Sequence, residues 1–132
     1  MSAALQQGRI VWAEVLDPQG RNPKVRPAVI LTPTNEIKTD VVVAAMTSQT
    51  DDSPPEVAVE LPWHAEGHPR TKLTRRNVVV CTWLVTIPVS SIQGTLGLVP
   101  FAQMARILEI VGALRTQSEP PPSTDPANGP SA

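Results

Sequence analysis

The hydrophobic pattern of this chain changes period once, near Pro100, and that change limits what the chain can fold into. Before it, apolar residues come in short runs rich in β-branched side chains, divided by Gly- and Pro-containing turns. Residues 9–16 (RIVWAEVL) read as a first strand, stopped by Asp17-Pro18-Gln19-Gly20. Residues 27–32 (PAVILT) read as a second strand that starts at Pro27, since a residue without a backbone donor suits a strand's first position better than its middle. Residues 40–46 (DVVVAAM) form a third run, almost wholly apolar and so expected at the centre of a sheet. Residues 56–61 alternate, with Val57, Val59 and Leu61 on one face and Glu56, Ala58 and Glu60 on the other. A polar loop over 63–76 leads to the longest β-run, 77–87, and a Pro-Val-Ser-Ser turn leads to a last short strand over 92–96. Closely spaced short strands of this kind imply a small antiparallel barrel or sandwich.

After the change, Phe101, Met104, Ile107, Leu108, Val111 and Leu114 fall on one helical stripe, with Gln103, Arg106 and Glu109 opposite. Residues 100–115 are therefore expected to form one amphipathic helix packed on the strands, with Pro100 in its first turn. Residues 117–132 (QSEPPPSTDPANGPSA) contain no large aliphatic or aromatic side chain and repeated prolines, which predicts a disordered tail. The folded body is expected over 5–116, enough for a single core. No run approaches the roughly 20 apolar residues of a membrane span, and no hydrophobic leader opens the chain, so a cytoplasmic protein is expected. The lone Cys81 sits among valines and reads as buried filler.

The chain carries 11 Lys and Arg against 12 Asp and Glu. Near-neutrality argues against a protein that grips nucleic acid over its whole surface. Locally, Arg9, Arg21, Lys24 and Arg26 cluster early and Arg70, Lys72, Arg75 and Arg76 cluster mid-chain, two groups able to form a phosphate-binding face. Chemistry is expected at strand ends and loops, because so small a fold has little interior to spare. Arg26 precedes Pro27 at a strand entrance, and Thr47-Ser48-Gln49 follows the buried third strand. If those ends are neighbours, a forked guanidinium and two hydroxyls converge on one point, which suits a phosphate.

The order of these pieces resembles one family. Gly8-Arg9-Ile10-Val11-Trp12, Asp17-Pro18, Arg26-Pro27-Ala28-Val29-Ile30-Leu31-Thr32-Pro33, the valine strand ending in Thr47-Ser48-Gln49, the 57–61 alternation and Thr86-Ile87 with a closing helix are together similar to the MazF/PemK toxins of bacterial toxin–antitoxin pairs, over about 8–114. The resemblance implies a mainly β fold, a small SH3-like antiparallel β-barrel with one C-terminal α-helix. It implies a homodimer that cuts single-stranded mRNA at short motifs without a metal or other cofactor, held in check by a cognate antitoxin with a flexible acidic tail. It places the catalytic or phosphate-holding pair on Arg26 and Thr47. Arg21, Lys24, Ser48 and Gln49, close to that pair in the sequence, are expected to bind the substrate.

Two departures bear on that activity. Members of the family commonly carry a Gly-x-Glu-Gln segment before the Arg-Pro, where this chain has only Gln19-Gly20-Arg21-Asn22-Pro23-Lys24-Val25, and many read Cys-Asp-Gln where this chain has Cys81-Thr82-Trp83. The acid of each segment is missing, which leaves His64, His68 and Glu14 as poor candidates for a general base. The same departures support an alternative: a fold that has lost catalysis and serves as an RNA- or protein-binding module. Trp12 and Trp83, in strands, are read as packing or dimer contacts, and Trp63, in a loop, as a candidate for stacking on bases. The i, i+4 pair His64 and His68 lies in a Pro/Gly loop without a third ligand, so no metal site is expected.

Overall fold

The structure, a computed structural model, describes residues 5–48 and 54–118. The β-rich runs form six strands, β1 (Arg9–Val15), β2 (Lys24–Ile30), β3 (Asp40–Thr47), β4 (Ala58–Glu60), β5 (Val78–Pro88) and β6 (Ile92–Leu98), followed by one helix, α1 (Phe101–Ser118). They make one sheet in the order β4-β5-β3-β2-β1-β6, and every pairing is antiparallel. The mainly β class and the closing helix are as expected. The ring of hydrogen bonds is not closed: among the described residues β4 and β6 do not pair, so the sheet remains open. The free side of β6 is covered instead by the 63–76 loop, since the Gly97 N–H donates to the Thr71 carbonyl (3.1 Å) and the Leu98 N–H to the Arg70 carbonyl (2.8 Å).

Successive residues of a strand face opposite sides of the sheet, and here both sides are buried. Ile10, Val29, Ala44, Met46, Val79 and Cys81 point into one cluster, which α1 completes with Met104, Ile107, Ile110 and Val111. Val11, Ala13, Val15, Ala28, Ile30, Val43 and Ala45 supply a second cluster on the other side. A strand that feeds two cores must be apolar at every position, which is why 40–46 shows no alternation. Each buried aliphatic side chain of α1 contributes about 1.5–3 kcal/mol of transfer free energy, an upper bound for what holds the helix down.

The helix packs through Met104, Ile107, Val111 and Leu114 of the stripe drawn from the sequence, but the buried face is turned away from Phe101 and Leu108 and towards Ile110. Phe101 is 84% exposed and Leu108 37%, while Ile110 is buried. At about 100° per residue, Phe101 and Leu108 lie near one line roughly 80° round from the mean direction of Met104, Ile107 and Val111. The helix also runs on to Ser118, past the expected end at Arg115. Of the tail expected over 117–132, the helix takes residues 117 and 118, and the rest lies outside the described residues.

Strand β2 starts at Lys24, so Pro27 stands inside it and not at its head. There β2 has a neighbour on one side only: Pro27 pairs with Trp12 of β1, whereas the ladder to β3 begins at Ala28. A missing donor costs nothing on an open side.

Candidate functional site

The register of β2 and β3 sets the site. Their ladder pairs Ala28 with Ala45, Val29 with Ala44 and Ile30 with Val43. Continued by two residues, it brings Arg26 opposite Thr47, and directly opposed residues of an antiparallel pair share a face. That face is the one of the second core: Ala13, paired with Arg26, belongs to that cluster together with Ala28 and Ala45, and Trp83 of β5 packs against it. Arg26, Thr47 and Trp83 thus end an apolar face with polar and aromatic groups. Arg26 and Thr47 are both half-buried, and both line one groove.

Arg26 is held from two sides. Its Nη1 donates to the Val15 carbonyl (3.2 Å), and its guanidinium carbon lies 5.0 Å from the centre of the Trp83 ring. The Trp83 Nε1–H donates in turn to the Leu16 carbonyl (2.9 Å).

The groove has a volume of about 1080 Å³ and is open to solvent. Met46, Leu73, Val80 and Leu96 supply apolar lining, and four cations, Lys24, Arg26, Lys72 and Arg75, stand around it. Of the residues expected at a site, Arg26, Thr47, Ser48 and Lys24 line it. Arg21 does not: it is exposed at the end of the β1–β2 loop, where its backbone N–H donates to Asp17 (2.8 Å). Gln49 lies outside the described residues. Trp63 lines a separate shallow hollow with Glu60, Leu61, Pro62 and Gln103. The indoles in the groove are Trp12 and Trp83, the two read from the sequence as packing residues. Trp12 is 36% exposed.

Lys72 and Arg75 arrive on the 63–76 loop, which is built as a set of turns. Thr71, fully buried, donates its hydroxyl to the Pro62 carbonyl (2.8 Å) and accepts from the Leu73 N–H (3.2 Å). The Lys72 N–H donates to the His68 carbonyl (2.8 Å), and Lys72 itself takes a left-handed backbone (φ 64°). Sequence reading found the mid-chain cationic cluster; the loop's attachment to β6 brings two of its members to the groove. Arg76 is drawn away, to Glu60 (3.1 Å).

The histidines are structural parts of that loop. The His64 Nδ1 accepts from the Glu66 N–H (3.1 Å), and the His68 Nδ1 accepts from the backbones of Arg70 (3.1 Å) and Thr71 (3.2 Å). Neither lines the groove, nor does Glu14. Among the described residues no group of three His, Cys, Asp or Glu side chains is placed to hold a metal ion.

Asp17 is the single carboxylate among the described residues lining the groove. Its Oδ1 accepts from the backbones of Arg21 (2.8 Å) and Gln19 (3.0 Å), and its Oδ2 from the Asn22 amide (2.7 Å). The bond from Arg21, with smaller help from Asn22, Gln19 and the charge of Arg26, holds its carboxyl below the usual range. A carboxylate so occupied fixes the turn and is a weak proton acceptor. Cys81 is fully buried, and burial pushes its thiol up to about 11, which leaves it protonated and unreactive at neutral pH.

A family model for the PemK-like, MazF-like toxin of type II toxin–antitoxin systems matches residues 6–114. The chain belongs to this toxin family. Solved structures agree with the fold of a MazF-like toxin. MazF from Deinococcus radiodurans matches with a TM-score of 0.66 at 21% identity, over 87% of this chain and 99% of that one. A mycobacterial endoribonuclease solved with its cognate antitoxin matches with a TM-score of 0.65 at 17% identity, over 89% and 100%. The Mycobacterium tuberculosis toxin MazF-mt6 matches with a TM-score of 0.60 at 25% identity, over 82% and 97%. No curated protein matches the chain. No described helix is long and apolar enough to cross a membrane.

Proposed function

We propose that this member of the toxin family is an endoribonuclease that cuts single-stranded RNA at short motifs in the groove carrying Arg26 and Thr47, acting in the cytoplasm as a homodimer under the control of a cognate antitoxin. The observation that carries the reading is the placement of Arg26 and Thr47 at one end of one sheet face, in a groove lined by four cations. RNA brings its own nucleophile, the 2′-OH, so the protein has to stabilise the crowded phosphorane and manage protons, and no metal is called for. Arg26 supplies the cation and, through a guanidinium N–H, a donor to the phosphoryl oxygens; Thr47 and Ser48 add hydroxyls beside it. Lys24, Lys72 and Arg75 attract the flanking phosphates, and the partly exposed Trp12 suits an unpaired base.

Incubation of the full chain with single-stranded RNA, followed by sequencing of the ends, tests the reading. Cleavage at a short motif, with 2′,3′-cyclic phosphate and 5′-OH ends, is expected. Arg26→Ala should lower kcat by about a hundredfold or more while the melting curve stays where it was. Intact RNA after incubation with folded, dimeric protein refutes the enzyme.

The committed hydrogen bonds of Asp17 favour one second reading, a binding module without catalysis. It predicts RNA affinity without cleavage. If Lys24, Arg26, Lys72 and Arg75 each neutralise one phosphate, log K falls against log salt with a slope of about −3.

A further inference from the structure

We infer that Trp83 is a positioning residue, whose indole aims the Arg26 guanidinium into the groove. The inference rests on the reading of Arg26 as the phosphate-holding cation and names the part that makes it usable. An arginine at the rim of a groove has many rotamers, and a cation that must be ordered during the reaction contributes less to rate than one already in place.

Here two consecutive carbonyls at the end of β1 share the task. The Val15 carbonyl accepts from Arg26 Nη1 (3.2 Å). The Leu16 carbonyl accepts from the Trp83 indole (2.9 Å), and that indole, packed against the second core, lies 5.0 Å from the guanidinium carbon. The ring blocks one side of the planar group and the Val15 carbonyl holds one nitrogen. Nε and Nη2 make no hydrogen bond among the described residues, so the fork keeps donors for two phosphoryl oxygens. A ring face spent on Arg26 is closed to a nucleobase, which divides the labour of the two groove tryptophans: Trp83 orders the cation and Trp12 meets the RNA.

The test uses the full chain and two replacements. Trp83→Leu removes the ring; Trp83→Phe keeps a ring face and loses only the bond to Leu16. Side-chain NMR of the free protein, with Arg26 assigned through Arg26→Lys, should show the Arg26 Hδ and Hε signals shifted upfield by the ring, the shift vanishing in Trp83→Leu and persisting in Trp83→Phe. In cleavage of an RNA oligonucleotide, Trp83→Leu should lower kcat about 10- to 100-fold with KM within about threefold of wild type, and Trp83→Phe should recover to within about fivefold. Absence of an upfield shift in the wild type overturns the inference, whether or not the variants fold. So does a Trp83→Leu protein that melts normally and keeps wild-type Arg26 signals or kcat, or a folded Trp83→Phe protein as impaired as Trp83→Leu. If the wild type cuts no RNA, the nuclease reading fails separately; the Arg26 signals, followed during titration with inorganic phosphate, then decide the positioning, with weaker phosphate binding in Trp83→Leu expected and equal binding overturning it.

Discussion

Gly97→Ala should be among the most damaging single-methyl changes in this protein. Gly97 lies in β6, beside the loop that covers the strand's open side. A Cβ at that position would collide with the carbonyl group of Arg70 and crowd the carbonyl carbon of Thr71, both backbone and so unable to rotate away. The demand for glycine is spatial, since Gly97 is not among the residues with a left-handed backbone. Relief requires the loop to move off β6, which breaks the Gly97 N–H bond to Thr71 (3.1 Å) and the Leu98 N–H bond to Arg70 (2.8 Å). Two lost bonds cost about 1 kcal/mol each, and overpacking adds about 1–3 kcal/mol. A loss of about 4 kcal/mol is the central expectation, equivalent in a domain near 100 residues to a fall in Tm of about 16–32 °C. Urea unfolding with two probes gives the free energy and checks two-state behaviour. Gly112→Ala is the control of opposite sign: Gly112 lies in α1 with nothing within 4 Å of a built Cβ, so alanine should stabilise by up to about 1 kcal/mol. A Gly97→Ala protein within about 0.5 kcal/mol of wild type, less than half of one net hydrogen bond, would refute the loop-to-strand attachment and with it the account of how Lys72 and Arg75 reach the groove.

Trp12→Ala should weaken RNA binding by about 1–3 kcal/mol if a base stacks there, whereas Trp63→Ala, in its separate hollow, should leave affinity unchanged; fluorescence anisotropy on a non-cleavable oligonucleotide separates the two, and equal losses would refute the division. Cys81 should resist a thiol-specific reagent at pH 8, where a thiol pushed up to about 11 is ionised only to roughly one part in a thousand, and should react only at the rate of unfolding; fast labelling of folded protein would contradict its burial. Because the Asp17 carboxyl is held below its ordinary value of 3.8, the stability it contributes is present above about pH 4 and lost as pH falls through the lower folded value. The Tm gap between wild type and Asp17→Asn should therefore shrink from pH 6 towards pH 2, and a gap constant across that range would refute the assignment.

What the sequence made legible divides by the range of the interactions involved. The strand runs around Val11, Val29, Val43 and Val80 and the helix after Pro100 follow from local pattern, because burial on a pleated or helical face imposes its own period. The start of β2 was not legible: Lys24, Val25 and Arg26 are a charged and half-exposed stretch, and only pairing with β1 makes them strand. The 3.6-residue pattern was drawn through Phe101 and passed over Ile110, whereas packing against the sheet buries Ile110 and leaves Phe101 exposed. For the site, the Arg-Pro and Thr-Ser-Gln segments drew attention to Arg26 and Thr47, whereas the role of Trp83 depends on carbonyls of β1 far away in sequence. Trp63 looked available because it lies in a polar loop, yet it lines a separate hollow with Glu60, Leu61, Pro62 and Gln103, away from the groove.

A three-pair ladder, Ala28 to Ile30 against Val43 to Ala45, therefore controls more than stability. Strand side chains alternate with a period of two, so a slip of one residue would turn Arg26 to the opposite side of the sheet from Thr47 and Trp83. The apolar residues forbid that slip, because it would also exchange Ala28 and Ile30 of one core with Val29 of the other. Ile30 and Val29 differ in volume, and close-packed interiors are sensitive to a single methylene. Specificity of packing in the two cores is thus what fixes a guanidinium and a hydroxyl on one face, which is why so polar a site can stand at the end of such apolar strands.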